Sequence, residues 1–175
     1  MSTNLQLIKT TRMTDDVQTV NITNVFSSKY DVYMIKGSNF LGNNSTATGL
    51  NLRLINSSDS VITSGYSYAQ NTVKGDTSTF SENNGTSEDR IWNVFGGLHN
   101  SGRTAGNIAY IFNPFLSKYT FTISQGVAQP SGNFRMYKGI GLYPQTTVIT
   151  GIQVELNESA SRFSASGIVS VYGVK

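Results

Sequence analysis

Few side chains in this sequence are of the kind that perform acid–base or nucleophilic chemistry, and their spacing does not gather them. The one histidine, His99, stands in a Gly-Leu-His-Asn-Ser-Gly stretch. A serine nucleophile needs such a base, yet no G-x-S-x-G elbow accompanies it, because Gly65-Tyr66-Ser67-Tyr68 ends in Ala69. His99 therefore reads as a loop residue. A two-carboxylate hydrolase would set its acids on the cleft face of strands, and the available acids are Asp31, Asp76, Glu82, Glu88, Asp89, Glu155 and Glu158. Only Asp31 and Glu155 fall inside strand-like runs. Metal chemistry has as little to work with: cysteine is absent, Asp15-Asp16 is a doublet rather than a ligand set, and no phosphate-cradling loop with its lysine occurs. The expectation is a protein that is no enzyme, with no catalytic, cofactor-binding or metal residues and no cofactor.

Binding needs less than catalysis. An exposed ring beside polar hydrogen-bonding groups suffices for a saccharide, and Tyr66, Tyr68 and Trp92 lie in or beside a polar stretch holding Asn83, Asn84, His99 and Asn100. The same region offers Arg90, Trp92 and Phe95, residue types that carry binding energy in protein interfaces. Tyr66, Tyr68, Arg90, Trp92 and Phe95 are thus the candidate interface or glycan contacts. The competing reading makes Tyr68 and Trp92 anchors that hold the stretch onto the core.

The elements that position these residues follow from composition and pattern. The chain has 175 residues, of which 38% are hydrophobic and 11% aromatic, enough for a single core if the rings point inward. Only 13% are charged, so Ser, Thr, Asn and Gln supply the polar surface. The formal net charge of +3 is carried by scattered lysines and arginines, without the basic stripe that nucleic acid requires. No run approaches the roughly 20 apolar residues of a membrane span, and the N-terminal residues lack the apolar core of a secretion signal. Neither nucleic acid nor membrane is an expected partner.

Period-two alternation recurs along the chain between Gly, Asn and Ser punctuation. Leu50, Leu52 and Leu54 give its cleanest instance, and the following Val61 to Ala69 run suits the return strand of a hairpin. Residues 1–16 read as an arm or short strand, with apolar content too small to fold alone and able to cross onto a neighbouring subunit. Residues 17–175 read as one antiparallel β-sandwich of jelly-roll or Greek-key type, broken by a long loop at 70–106. Within that loop Ile91, Val94 or Phe95, and Leu98 recur at helical spacing after a possible Ser87 cap, which predicts one short helix ending at Gly96-Gly97. The last run, Ile168 to Val174, is expected to pair with a strand from the middle of the chain.

Four stretches together carry a resemblance: FSSKYDVYMI, the GLNLRLINSSDSVI segment, NIAYIFNPF with SKYTFTIS, and the closing ITGIQVEL to FSASGIVSVYGVK. They resemble small virion structural proteins of tailed bacteriophages, particularly those of marine cyanobacteria. The most specific element is the apolar run ending in Tyr172-Gly173, followed by Val174 and Lys175. The resemblance implies a β-sandwich virion protein without catalytic residues, made in the host cytoplasm. At this size a capsid decoration or cement protein is expected, located on the capsid surface and bound to the major capsid protein or other virion proteins. A homo-oligomer, with a trimer favoured, would multiply modest contacts through symmetry. The alternative is a tail, baseplate or collar appendage that binds host saccharide.

Overall fold

The computed structural model describes residues 4–14, 16–43, 48–75, 77, 80–98, 105–129, 134–157, 161–164 and 167–175. Twelve strands and no helix occur among them. In chain order they are β1 (Leu5–Arg12), β2 (Thr19–Ile22), β3 (Val32–Phe40), β4 (Thr48–Asn56), β5 (Tyr66–Lys74), β6 (Phe80–Glu88), β7 (Gly97–Leu98), β8 (Ala105–Phe112), β9 (Thr120–Ala128), β10 (Arg135–Tyr143), β11 (Ile149–Leu156) and β12 (Ile168–Val174). They form an antiparallel β-sandwich. One sheet has eight strands in the order β1-β12-β3-β8-β9-β10-β5-β6, and the other has four in the order β2-β11-β4-β7.

The chain alternates between the sheets from β1 to β5, so each layer is stitched to the other by successive connections. The alternation read from the sequence is what makes this possible. Leu50, Leu52 and Leu54 of β4 and Ile152, Val154 and Leu156 of β11 form the buried face of the small sheet, while Tyr33, Ile35, Ala109, Ile111, Val169 and Val171 supply the large one. Each fully buried aliphatic side chain of this kind contributes about 2 kcal/mol. Phe40 closes one part of the core, its ring 6.3 Å from that of Phe95 and 6.4 Å from that of Phe163.

The terminal strand is part of the core sheet, as expected, but its partners come from the N-terminal quarter of the chain and not from the middle. β12 lies between β1 and β3, pairing Tyr172 with both Leu7 and Met34. Its Gly173 is required by a close approach: a Cβ there would stand 2.4 Å from the ring of Tyr30. The N-terminal stretch is a strand that pairs with β12 of its own chain over Leu5 to Arg12, with a bulge between Leu7 and Lys9.

Three expectations are corrected. The predicted helix at 87–98 does not form, because its backbone bonds outward instead of along itself. Ile91 exchanges both main-chain hydrogen bonds with Leu52 at 2.9 and 3.0 Å, the Leu50 amide donates to the Gly96 carbonyl at 2.9 Å, and Ser87 and Asn93 hold positive φ of 61° and 49°. The long loop at 70–106 is largely ordered strand: β6 pairs with β5 through most of its length. Its sequence looked loop-like because β6 is an edge strand exposed along most of its residues, where polar side chains are favoured. The run Val61 to Ala69 does not return alongside β4; after a bridge from Val61 to Ile55 the chain crosses to the large sheet as β5.

Candidate functional site

The outward face of the small sheet carries a dense polar cluster, assembled by strand register. Antiparallel pairing sets Gln153 opposite both Asn21 and Arg53, and Glu155 opposite Asn51. The Gln153 amide donates to Asn21 Oδ1 at 2.8 Å. Glu155, 3% exposed, sits between two guanidiniums: Arg53 Nη1 reaches its Oε2 at 2.8 Å and Arg90 Nη1 its Oε1 at 2.6 Å. Both arginines also hold Asp89, Arg53 through Nη2 at 2.7 Å and Arg90 through Nε at 2.8 Å. The result is a closed ring of two cations and two carboxylates. The segment that follows β6 delivers Asp89 and Arg90 to it, fixed by the Ile91–Leu52 pairing and by the Asn93 amide, which donates to Asn51 Oδ1 at 2.9 Å.

Electrostatics shift the two acids in opposite directions. Asp89 is held down to about 2, chiefly by its hydrogen bond from Arg90 and then by Arg53, with burial opposing. Glu155 is pushed up by burial, with Arg53 and Arg90 pulling against the shift. A carboxylate clamped between two guanidiniums is committed to them, and proton exchange would break two ion pairs. Asp31, the other acid of the strand-like runs, lies exposed at the bend before β3 in the opposite sheet. No group of three or more acids and histidines able to hold a metal occurs among the described residues.

The sequence-derived contact residues divide. Arg90 and Trp92 come together, the guanidinium 5.0 Å from the indole centroid, and Trp92 Nε1 donates to Glu88 Oε2 at 3.4 Å. Tyr68 is half-buried on β5 opposite Gly85, its hydroxyl pushed up by burial and by Glu88. Tyr66 and Phe95 are corrected: both are fully buried and present no surface to a ligand. The Tyr66 hydroxyl accepts from the Leu54 amide at 2.8 Å and donates to the Ile62 carbonyl at 3.1 Å, so its polar end is spent inside the fold. His99 and Asn100 lie outside the described residues.

Sequence reasoning missed the outward face of the large sheet. On β9 Thr120, Thr122 and Ser124 point inward and are buried, while Phe121, Ile123 and Val127 face solvent beside Gln125. Its neighbours continue the pattern: β8 exposes Tyr110, and β10 exposes Met136 and Ile140, the latter at 59%. A shallow groove of about 590 Å³ runs over this face between Tyr68, Phe112, Phe121, Ile123, Ile140 and Leu142. The alternation in SKYTFTIS marked the strand, and its direction of facing is inverted relative to ordinary amphipathic patterning.

No protein-family model matches the chain, and the search of curated proteins found no match. Among solved structures, the chain is similar to a family 7 alginate lyase, A1-II′, crystallised in complex with substrate, at 10% identity and a TM-score of 0.26. That match covers 89% of this chain and 65% of the lyase chain, so this chain spans less than two thirds of the protein it matches.

Proposed function

We propose that this chain is a binding protein of the virion of a tailed bacteriophage, a decoration or cement protein that lays the outward face of its large sheet on the capsid shell. The inverted strand β9 carries the reading. Thr120 and Thr122 bury hydroxyls that have no hydrogen-bond partner among the described residues, while Phe121, Ile123 and Val127 remain in water. Both arrangements cost free energy in an isolated chain, and a protein covering the outer face offsets the second of them.

The dimensions suit a protein partner. Eight strands about 4.8 Å apart and roughly 28 Å long make a face of about 1,000 Å², against the about 800 Å² that each partner buries in a standard interface. Lys36 and Lys138, both exposed, add polar points that orient such a contact. The resemblance of the FSSKYDVYMI and IVSVYGVK stretches to phage particle proteins supports a place in the virion, and the size of the single domain favours a shell subunit as the partner.

The test is copy number, by quantitative mass spectrometry of purified particles referenced to the major capsid protein, alongside the variant Ile123→Lys. A ratio comparable to the shell subunit, lost in particles assembled with Ile123→Lys, is the expected result. A ratio of a few per hundred moves the chain to the tail and overturns the shell reading. Light scattering of the purified chain adds a further outcome: if the wild type is a stable oligomer and Ile123→Lys a monomer, the occupant of the face is a second copy.

A further inference from the structure

A second concave site lies at one end of the sandwich, where the start of β4 and the residue after β11 approach the inward side of β5, β6 and β10. It encloses about 310 Å³, near the lower limit for pockets that hold small ligands. Lys74, Arg135, Tyr137, Thr72, Ser81 and Asn93 line it, with no carboxylate among the described lining residues.

The register makes this arrangement unusual. Arg135 of β10 stands directly opposite Lys74 of β5, and Tyr137 directly opposite Thr72. Directly opposed residues on one face have Cβ atoms about 5 Å apart, and like charges in that position repel. All four ion pairs among the described residues involve Arg53 or Arg90, and neither Lys74 nor Arg135 takes part in one. Arg135 Nε is buried and has no hydrogen-bond acceptor among those residues. Tyr137, 8% exposed, keeps its hydroxyl protonated at neutral pH, because burial pushes it up against the pull of Arg135. An ammonium, a guanidinium, four hydroxyls and two amides thus converge on one cleft.

We propose that this cleft binds a small oxyanion, a carboxylate, sulfate or phosphate group, seated between Lys74 and Arg135. Such a group removes the cross-strand repulsion and takes further bonds from Thr72, Ser81 and Tyr137. A guanidinium beside an ammonium gives both planar recognition and a point charge.

The experiment titrates the full chain with sodium sulfate, sodium phosphate and sodium glucuronate by isothermal calorimetry, each against sodium chloride at matched ionic strength. Sulfate and phosphate also stabilise proteins by exclusion from their surfaces, so thermal shifts alone do not decide, and the comparison with Lys74→Met and Arg135→Met does. Saturable binding by at least one oxyanion, weakened tenfold or more in either variant, is the expected result. Tighter binding of glucuronate than of sulfate assigns the carboxylate of an acidic sugar, and the reverse order assigns an inorganic anion. In anion-free buffer each variant should melt at or above the wild-type temperature, because it relieves repulsion. If Lys74→Met instead melts lower, or no oxyanion binds beyond chloride, the pair is already neutralised within the chain and the proposal falls.

Discussion

The outward faces of the two sheets solve opposite problems. On the small sheet, the charged and amide side chains of β4 and β11 are buried or half-buried, and most of them pair with Asp89 and Arg90 from the segment bonded to the edge of β4 or with the exposed Asn21 of β2. On the large sheet, aromatic and aliphatic side chains of β8, β9 and β10 are exposed, with none of the described residues across them. The first face is paired by the fold, and the second is the one that the proposed shell contact would cover. The richest polar constellation is largely paired within the chain, Asn51 Nδ2 excepted, while the apolar residues are the ones left exposed.

The contrast can be broken most forcefully at Glu155. Glu155→Leu leaves Arg53 and Arg90 sharing only Asp89, and is expected to cost about 3 kcal/mol in urea unfolding, as removal of one partner from a buried ionic network does. Glu155→Gln keeps an acceptor and should cost less than half as much. An equal loss in both would show that packing, and not charge, closes this face.

A smaller change with the opposite sign is expected inside β9. Thr122→Val replaces a buried hydroxyl that lacks a partner among the described residues with a methyl of similar shape, and should stabilise the chain by about 1 kcal/mol in the same measurement. Destabilisation instead would mean that the hydroxyl is satisfied after all, and would remove half of the argument from inverted patterning.

The smallest effect sharpens the polar side. Asp89 is held to about 2, below the ordinary carboxylate value, so the stability it supplies is complete above about pH 4 and fades as pH falls toward 2. Glu155 is shifted upward, so its ionisation subtracts stability as pH rises past the ordinary glutamate range. Asp89→Asn should flatten the acid limb of a stability–pH profile below pH 4 while leaving the Glu155 slope. Because the Asp89 side chain is 40% exposed, salt should weaken this difference.

Much of the fold was legible because burial on one face imposes alternation: Leu50, Leu52 and Leu54 announced β4, and Ile152, Val154 and Leu156 announced β11. Alternation identifies two faces without saying which one meets the core, and on β9 the threonines rather than Phe121 and Ile123 do so. The 87–98 segment was misread because Ile91 and Phe95 satisfy helical spacing and also suit an irregular strip bonded to β4; the positive φ of Asn93 selects the latter. The Arg53–Glu155 pair was invisible because β4 and β11 are distant in sequence, and only register brings their side chains together. Arg90 and Trp92 were found as neighbours, but Arg90 belongs to the closed ring and Tyr66 to the core.

The pairing of β1 with β12 has a consequence for how the chain is made. Leu5 to Arg12 leave the ribosome more than 150 residues before the strand that receives them, Ile168 to Val174. At about 5–20 residues per second, the first strand waits roughly 10–30 s without its neighbour. Closing so long a loop adds only slowly to the entropic cost, so the delay is set by synthesis and not by diffusion. Through that interval Leu5, Leu7 and Ile8 are held open to capture by other chains, and the eight-stranded sheet is completed from its last strand to its first.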